Sequence, residues 1–258
     1  MKENKVSGKI ELCLMSVPVS RQGKMNIAGF QEFTLIDYPG KIACILFLHG
    51  CNFRCGFCYN PELVLAPLGK IYSKKEILDF LKKRKGQLEG VCITGGEPLM
   101  TVDIDFLKEI KDMGYSIKID TNGSFPDLLR ELIRSKLIDY AAMDIKSSPE
   151  NYKKITNFDI DISKIEKSIR IISSLLDYYE FRTTVLEEVH DVKEMEEVSE
   201  WLNRICKKKP KKFVLQGFKN NNKFIDESFK KKKNTKNIYL QELKEILKDY
   251  FEMVEIRI

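Results

Sequence analysis

The sequence predicts an α/β fold, a partial TIM-like barrel of parallel strands built from about six βα units. Three observations predict it. Apolar runs rich in β-branched residues recur along the chain, and helix-like stretches with their own start and stop signals lie between them. Such alternation gives a parallel sheet with right-handed crossovers. Six or seven units are too few to close an eight-unit barrel, so the barrel is expected to stay open, with its active residues where strands end and βα loops begin.

Residues 1–24 carry Gly8, Pro18 and Gly23 without a clear period and read as an extension, either an ordered arm or chain ahead of a second start at Met25. Residues 25–258 read as one domain. Its first strand is expected over 42–51 and its first helix over 73–85, where Ser-Lys-Lys-Glu has the form of a capping box. Strand 91–96, helix 104–113 stopping at Gly114, strands 116–123 and 140–146, and helix 163–176 follow. In strand 179–185, Glu180, Arg182 and Thr184 alternate with Phe181, Thr183 and Val185, and Gln216 stands among apolar neighbours in strand 212–218. A filled barrel would point bulky aliphatics inward, so this polarity predicts a solvated or ligand-filled lumen. Residues 218–237, with three asparagines in a row and several lysines, read as a long mobile loop, before a helix over 239–250 and a last strand over 253–258.

A chain 43% hydrophobic and 32% charged is globular and not disordered. No apolar run approaches the ~20 residues that span a bilayer, and Met1-Lys-Glu-Asn-Lys is not followed by a signal peptide's apolar core and cleavage site. A cytoplasmic protein with no membrane partner is therefore expected. Cytoplasmic thiols stay reduced, so seven cysteines, three of them clustered, point to metal binding or catalysis over disulfides. The net charge of +6 comes largely from lysines, with runs over 207–212 and 230–233. Neither run interleaves aromatics as a base-stacking surface does, so a solvated surface is expected and nucleic acid is not.

The cluster is Cys51-Asn-Phe-Arg-Cys55-Gly-Phe-Cys58, at the end of the first expected strand, with Gly56 permitting a tight turn around an ion. Thiolates at such spacing bind soft metals or iron–sulfur clusters. A structural zinc site wants four ligands, and the fourth would have to be His49, Cys92 or a distant residue. Three thiolates on a 4Fe-4S cluster instead leave one iron open. Downstream, Gly95-Gly96 ends a strand, where a ligand can approach bare backbone and Glu97 can accept from a cationic amine; an ordinary strand-to-helix turn has the same look. Asp144 and Lys146 share one face of their strand, as a cofactor contact or as an internal ion pair. Cys44 and Cys92 read as small core residues, and Cys13 and Cys206 have no evident role.

Cys-x3-Cys-x2-Cys with aromatic Phe57 before the last cysteine resembles the signature of the radical S-adenosylmethionine (SAM) superfamily. Phe-Thr-Leu-Ile-Asp37-Tyr-Pro-Gly-Lys, Tyr59-Asn-Pro-Glu-Leu, Thr94-Gly-Gly-Glu-Pro98, Asp120-Thr-Asn-Gly123 and Met143-Asp-Ile-Lys146 extend the likeness, in order, to the glycyl-radical-enzyme activases, and most to the activases of anaerobic ribonucleotide reductase. The resemblance implies one 4Fe-4S cluster held by Cys51, Cys55 and Cys58, with SAM on its open iron. It implies cofactor contacts from Phe57, Cys58, Tyr59, Gly95, Gly96, Glu97, Asp120, Thr121, Asn122, Asp144 and Lys146, with Asp120 and Thr121 helping to hold a monovalent cation, and His190 placed to reach the adenosine. It also implies a glycyl-radical-enzyme partner and an electron donor such as flavodoxin or ferredoxin. No further cysteine cluster lies between Cys58 and Gly95, so a ferredoxin-like insert is not expected.

Overall fold

The computed structural model describes residues 24–258 apart from Leu68 and Asn222, so the expected extension lies, but for Lys24, outside the described residues. The strands β1 (Ile27–Thr34), β2 (Ala43–Leu48), β3 (Gly90–Gly95), β4 (Ser116–Thr121), β5 (Tyr140–Asp144), β6 (Tyr179–Val185), β7 (Phe213–Gly217) and β8 (Val254–Arg257) form one sheet in chain order. β1 is antiparallel to β2, and every later strand is parallel to its predecessor. All seven expected strands are present, trimmed at their ends, and together make six βα units and a final strand. β1 was not expected. Its stretch has no unbroken apolar run, and its register shifts twice against β2, as suits an irregular edge strand.

The helices are α1 (Pro61–Val64), α2 (Lys74–Lys83), α3 (Ile104–Asp112), α4 (Pro126–Arg134), α5 (Tyr152–Thr156), α6 (Ile162–Leu175), α7 (Val192–Cys206) and α8 (Asn237–Leu247). The capping box at Ser73 forms as read: its hydroxyl accepts from the Glu76 N–H at 3.1 Å, and the Glu76 carboxylate accepts from the Ser73 N–H at 2.6 Å. Asp103 and Asp191 cap α3 and α7 in the same sense. Among the described residues no helix is long and apolar enough to cross a membrane.

Register divides the sheet into two unlike faces. Side chains such as Leu46, Ile93, Ile119, Met143, Phe181 and Leu215 point to the helices and join one continuous apolar cluster with them. The other face carries Lys118, Asp120, Asp144, Glu180, Arg182, Gln216 and Arg257: Asp144 is the Cα partner of Arg182 and Gln216 of Arg257, and the parallel ladders keep the rest on the same side of the sheet. Its apolar content includes a separate small cluster of Tyr38, Ala43, Tyr140 and Ala142. The lumen expected from the alternation in β6 thus runs around the sheet from β4 to β8.

Candidate active site

Cys51 follows β2, and the loop it opens is anchored on several sides. The Gly50 N–H donates to the Leu63 carbonyl at 2.8 Å and the Arg54 N–H to the Thr156 carbonyl at 2.8 Å. The Arg54 guanidinium donates to the Cys51 and Phe53 carbonyls at 2.6 and 2.8 Å. The Cys58 N–H donates to the Cys55 carbonyl at 3.0 Å and closes the turn. A Cβ on Gly56 would stand 2.6 Å from the Phe229 ring, so here the glycine answers close packing by a distant segment as well as the turn itself. Burial pushes the Cys51 thiol up to about 12 and the Cys55 thiol up to about 11, and it raises Cys58; nearby Lys146 works the other way at Cys55 and Cys58. Among the described residues no three His, Cys, Asp or Glu side chains converge as a single metal ion requires.

The Gly-Gly-Glu turn packs against the chain that enters the cysteine loop. A Cβ on Gly95 would collide with the Leu48 backbone, and one on Gly96 with the Gly50 carbonyl oxygen. The Gly96 and Glu97 N–H groups donate to the Leu48 and Gly50 carbonyls at 2.9 and 2.7 Å. The space beside these glycines is thus filled by the chain that leads into the cysteine loop. Glu97 is fully buried and braced: it accepts from the Thr121 hydroxyl at 2.7 Å, the Asn122 N–H at 2.6 Å and the Leu99 N–H at 3.1 Å. Burial raises its carboxyl to about 7 against the pull of these donors. Its carboxylate therefore ties β3 to the end of β4. Asn122 sits beside the cysteines, its amide donating to Asn52 at 2.9 Å and lying 3.9 Å from the Cys51 sulfur.

Asp120, Asp144 and Lys146 do come together, through a residue the sequence had marked only as polar. Arg182 reaches Asp120 at 3.1 Å and Asp144 at 2.5 Å, Lys146 reaches Asp144 at 3.0 Å, and Lys118 pairs with Asp120. Burial opposes charge on Asp144, but Arg182 and Lys146 outweigh it and hold the carboxyl well below the usual range. Lys118 and Arg182 each donate to one Asp120 oxygen. Arg182 was legible only as one term of an alternating strand. Its partners are fixed by register between β4, β5 and β6, which a single strand does not encode.

Two further expectations change. His190 is fully buried: its Nδ1 accepts from the Leu186 N–H at 3.1 Å, which leaves Nε2 to donate to the Lys146 carbonyl at 2.9 Å. Burial lowers its pKa, so the ring is neutral and holds the strand end that carries Lys146. The segment 218–237, expected to be a mobile loop, packs on the cysteine loop through its aromatic residues, with Asn222 outside the described residues. Phe218, Phe224 and Phe229 cluster, Tyr59 stacks on Phe218 with ring centroids 6.0 Å apart, and Phe57 meets Phe229 at 6.1 Å. The Tyr59 hydroxyl accepts from the Lys219 N–H at 2.7 Å. Phe57 and Tyr59 thus tie the cysteine loop to this segment.

A family model described as the radical SAM superfamily matches residues 45–202, which run from β2 into α7 and hold the cysteine loop, the Gly95-Gly96-Glu97 turn, Asp120, Asp144, Lys146, Arg182 and His190. The chain belongs to the radical SAM superfamily. Over 245 residues it is 32% identical to a candidate glycyl-radical enzyme activating enzyme of Methanocaldococcus jannaschii, covering 91% of this chain and 96% of that protein. It is 35% identical over 143 residues to a pyruvate formate-lyase-activating enzyme of Listeria monocytogenes, covering 51% of this chain and 57% of that one. Among solved structures, a radical SAM methyltransferase from Sphaerobacter thermophilus shares the fold, with a TM-score of 0.65 over 87% of this chain and 68% of that one at 13% identity. Radical SAM membership implies a 4Fe-4S cluster and SAM. The residues fit: three soft donors sit in one anchored loop, within electrostatic reach of one another, and Cys55 and Cys58 also feel Lys146 and Asp144.

Proposed function

We propose that this protein is a glycyl-radical-enzyme activase, an oxidoreductase whose partner is anaerobic ribonucleotide reductase. The observation that carries the reading is the meeting of an anchored three-cysteine loop with the network of Asp144 and Lys146 at the end of β5 and Arg182 on β6. The near full-length likeness to a candidate activating enzyme supports the same class.

Cys51, Cys55 and Cys58 would hold the cluster, and the chemistry it supplies when bound is reductive cleavage of the SAM sulfonium to methionine and a 5′-deoxyadenosyl radical, which takes a hydrogen from the partner's glycine. The chain's own residues bind, orient and shield. Asp144, kept ionised by Arg182 and Lys146, presents an acceptor toward the adenosyl group, and Lys146 stays charged beside it. Asn122 brings a neutral amide to the edge of the cysteine loop. Phe57, Tyr59 and the aromatic cluster of 218–237 close one side against water, which lengthens the life of a reactive species. His190 and Glu97 act at one remove, by fixing the Lys146 carbonyl and the Asn122 backbone. A small acidic electron donor, a flavodoxin or ferredoxin, would supply the electron.

The lysine runs do not form an uninterrupted cationic surface for RNA. Lys212 pairs with Glu255 at 2.6 Å, Lys211 donates to the Asp177 carbonyl at 2.7 Å, Lys230 pairs with Glu227 at 2.6 Å and Lys232 pairs with Glu188.

The test is to mix the reduced, cluster-loaded protein and SAM with anaerobic ribonucleotide reductase from the same genome and record electron paramagnetic resonance. A glycyl doublet is expected. No doublet on that reductase, with one appearing on another glycyl-radical enzyme, would reassign the partner; none on any, with SAM consumed, would overturn the activase reading.

A further inference from the structure

Nearly every charged side chain of the lumen has its partner inside the protein. Arg182 is taken by Asp120 and Asp144, Lys118 by Asp120, and Arg257 by Glu180 and Glu255. Two neutral polar side chains differ. Thr184 on β6 and Gln216 on β7 are Cα partners in the parallel ladder and face the lumen together, and neither makes a side-chain hydrogen bond among the described residues. Both are half-buried.

Gln216 lines a cavity of about 300 Å³ whose walls include Asp37, Tyr59, Arg182 and Arg257. The cavity lies at the unclosed seam of the sheet, since β1 and β8 are its two edges. Ile36 and Ile258 flank it there and are 81% and 66% exposed. An apolar lip at an open seam admits a chain segment, and the cavity volume suits a few residues of extended backbone better than a folded element.

The chemistry of the patch selects the ligand. A carboxamide offers both a donor and an acceptor, and a threonine hydroxyl offers both as well. Side by side they match the N–H and C=O groups of a peptide backbone. A charged ligand gains little from a neutral patch among ion pairs that already compensate one another. A glycine in the segment lets the backbone approach with no Cβ between.

We infer that Thr184 and Gln216 bind the backbone of the partner's glycine-bearing segment, entering through the seam between β1 and β8; the inference rests on the activase reading for the identity of that segment. The patch sits two residues beyond Arg182 and four beyond Glu180 along β6, toward the end where the cysteine loop lies, so it would set how deeply the glycine enters.

The test has two arms. In the first, acetyl-glycyl-glycine methylamide is titrated into isotope-labelled protein while the Gln216 side-chain amide and the Gly217 backbone amide are followed by NMR, with acetate and methylammonium as charged controls. Both resonances are expected to move saturably with the peptide and not with the ions, and Gln216→Leu to weaken binding about tenfold, the effect of a lost hydrogen-bond pair. Gln216→Glu, which keeps the size and an acceptor but loses the donor, serves should the leucine variant fold poorly, and it too should bind more weakly. Unmoved resonances, stronger binding of either ion, or unchanged binding by both variants would overturn the assignment. In the second arm, the Thr184→Val, Gln216→Leu double variant is assayed for glycyl-radical formation on the partner. A rise in KM for the partner of about tenfold, exceeding any fall in kcat, is expected; a fall in kcat with KM unmoved contradicts it. A wild-type protein that installs no glycyl radical would sink the activase reading, while the peptide titration would still decide the role of Gln216.

Discussion

Phe181 and Arg182 are neighbours in β6, yet they belong to different chemistries. Phe181 points to the helices, fully buried in the continuous apolar cluster. Arg182 points to the lumen, where it bridges Asp120 and Asp144. The outer face holds the fold by area removed from water, at roughly 25 cal/mol per Å². The inner face gains little net stability from its ions, because desolvation offsets most of their attraction. What it gains is a fixed set of charges that need not rearrange when a charged cofactor arrives. The difference teaches that adjacent residues of one strand can be separated by the kind of damage their loss should cause.

The sharpest way to break that comparison is to mutate both. Phe181→Ala should cost about 3 to 5 kcal/mol in urea unfolding, through lost burial and the cavity left behind. Variant protein that still folds should bind SAM nearly as the parent does. Arg182→Met should cost about 3 kcal/mol, since it strands two carboxylates without their bridge, and it should also weaken SAM binding by equilibrium dialysis. If Phe181→Ala and Arg182→Met affect SAM binding equally, the two faces are not functionally distinct.

A smaller effect sharpens the account of the inner face itself. Burial works to raise Glu180, but the Arg257 fork at 2.6 and 2.7 Å outweighs it and holds the carboxyl at about 2 against an ordinary 4.5. A depressed carboxyl stabilises the fold fully above its unfolded value, and that contribution drains as pH falls from 4.5 toward 2. Its size is roughly 2 to 3 kcal/mol, a few tenfold factors in the folding equilibrium. Glu180→Gln should therefore flatten the acid limb of a stability-against-pH curve between those values, by an amount of that order. An unchanged acid slope would mean that the Arg257 pair contributes nothing to the fold.

The sequence disclosed much of this where a signal was local. Strand positions came from apolar runs, the Ser73 cap from four residues, and the cluster loop from eight. The polar face was visible in Glu180, Arg182 and Thr184 because alternation has a period of two. Its wiring was not visible, because Arg182 meets Asp120 and Asp144 across three strands far apart in the chain. The packing of the glycines of Thr94-Gly-Gly-Glu was not visible for a related reason: what crowds Gly95 and Gly96 is the backbone of Leu48 and Gly50, some 45 residues away. The segment 218–237 looked mobile by composition, yet Phe218, Phe224 and Phe229 find Tyr59 and Phe57 once the barrel curls. His190 looked available by type alone; both of its nitrogens are engaged.

The central claim is that Cys51, Cys55 and Cys58 together hold a cluster that cleaves SAM within the charged lumen. Its most direct test is the 5′-deoxyadenosine yield from SAM by anaerobically reconstituted, dithionite-reduced protein, measured beside Cys55→Ala. The parent should show iron–sulfur absorbance and form 5′-deoxyadenosine and methionine in equal amounts, while the variant should form neither above background. Product formation by Cys55→Ala, or a parent that carries its cluster and leaves SAM intact, would contradict the account.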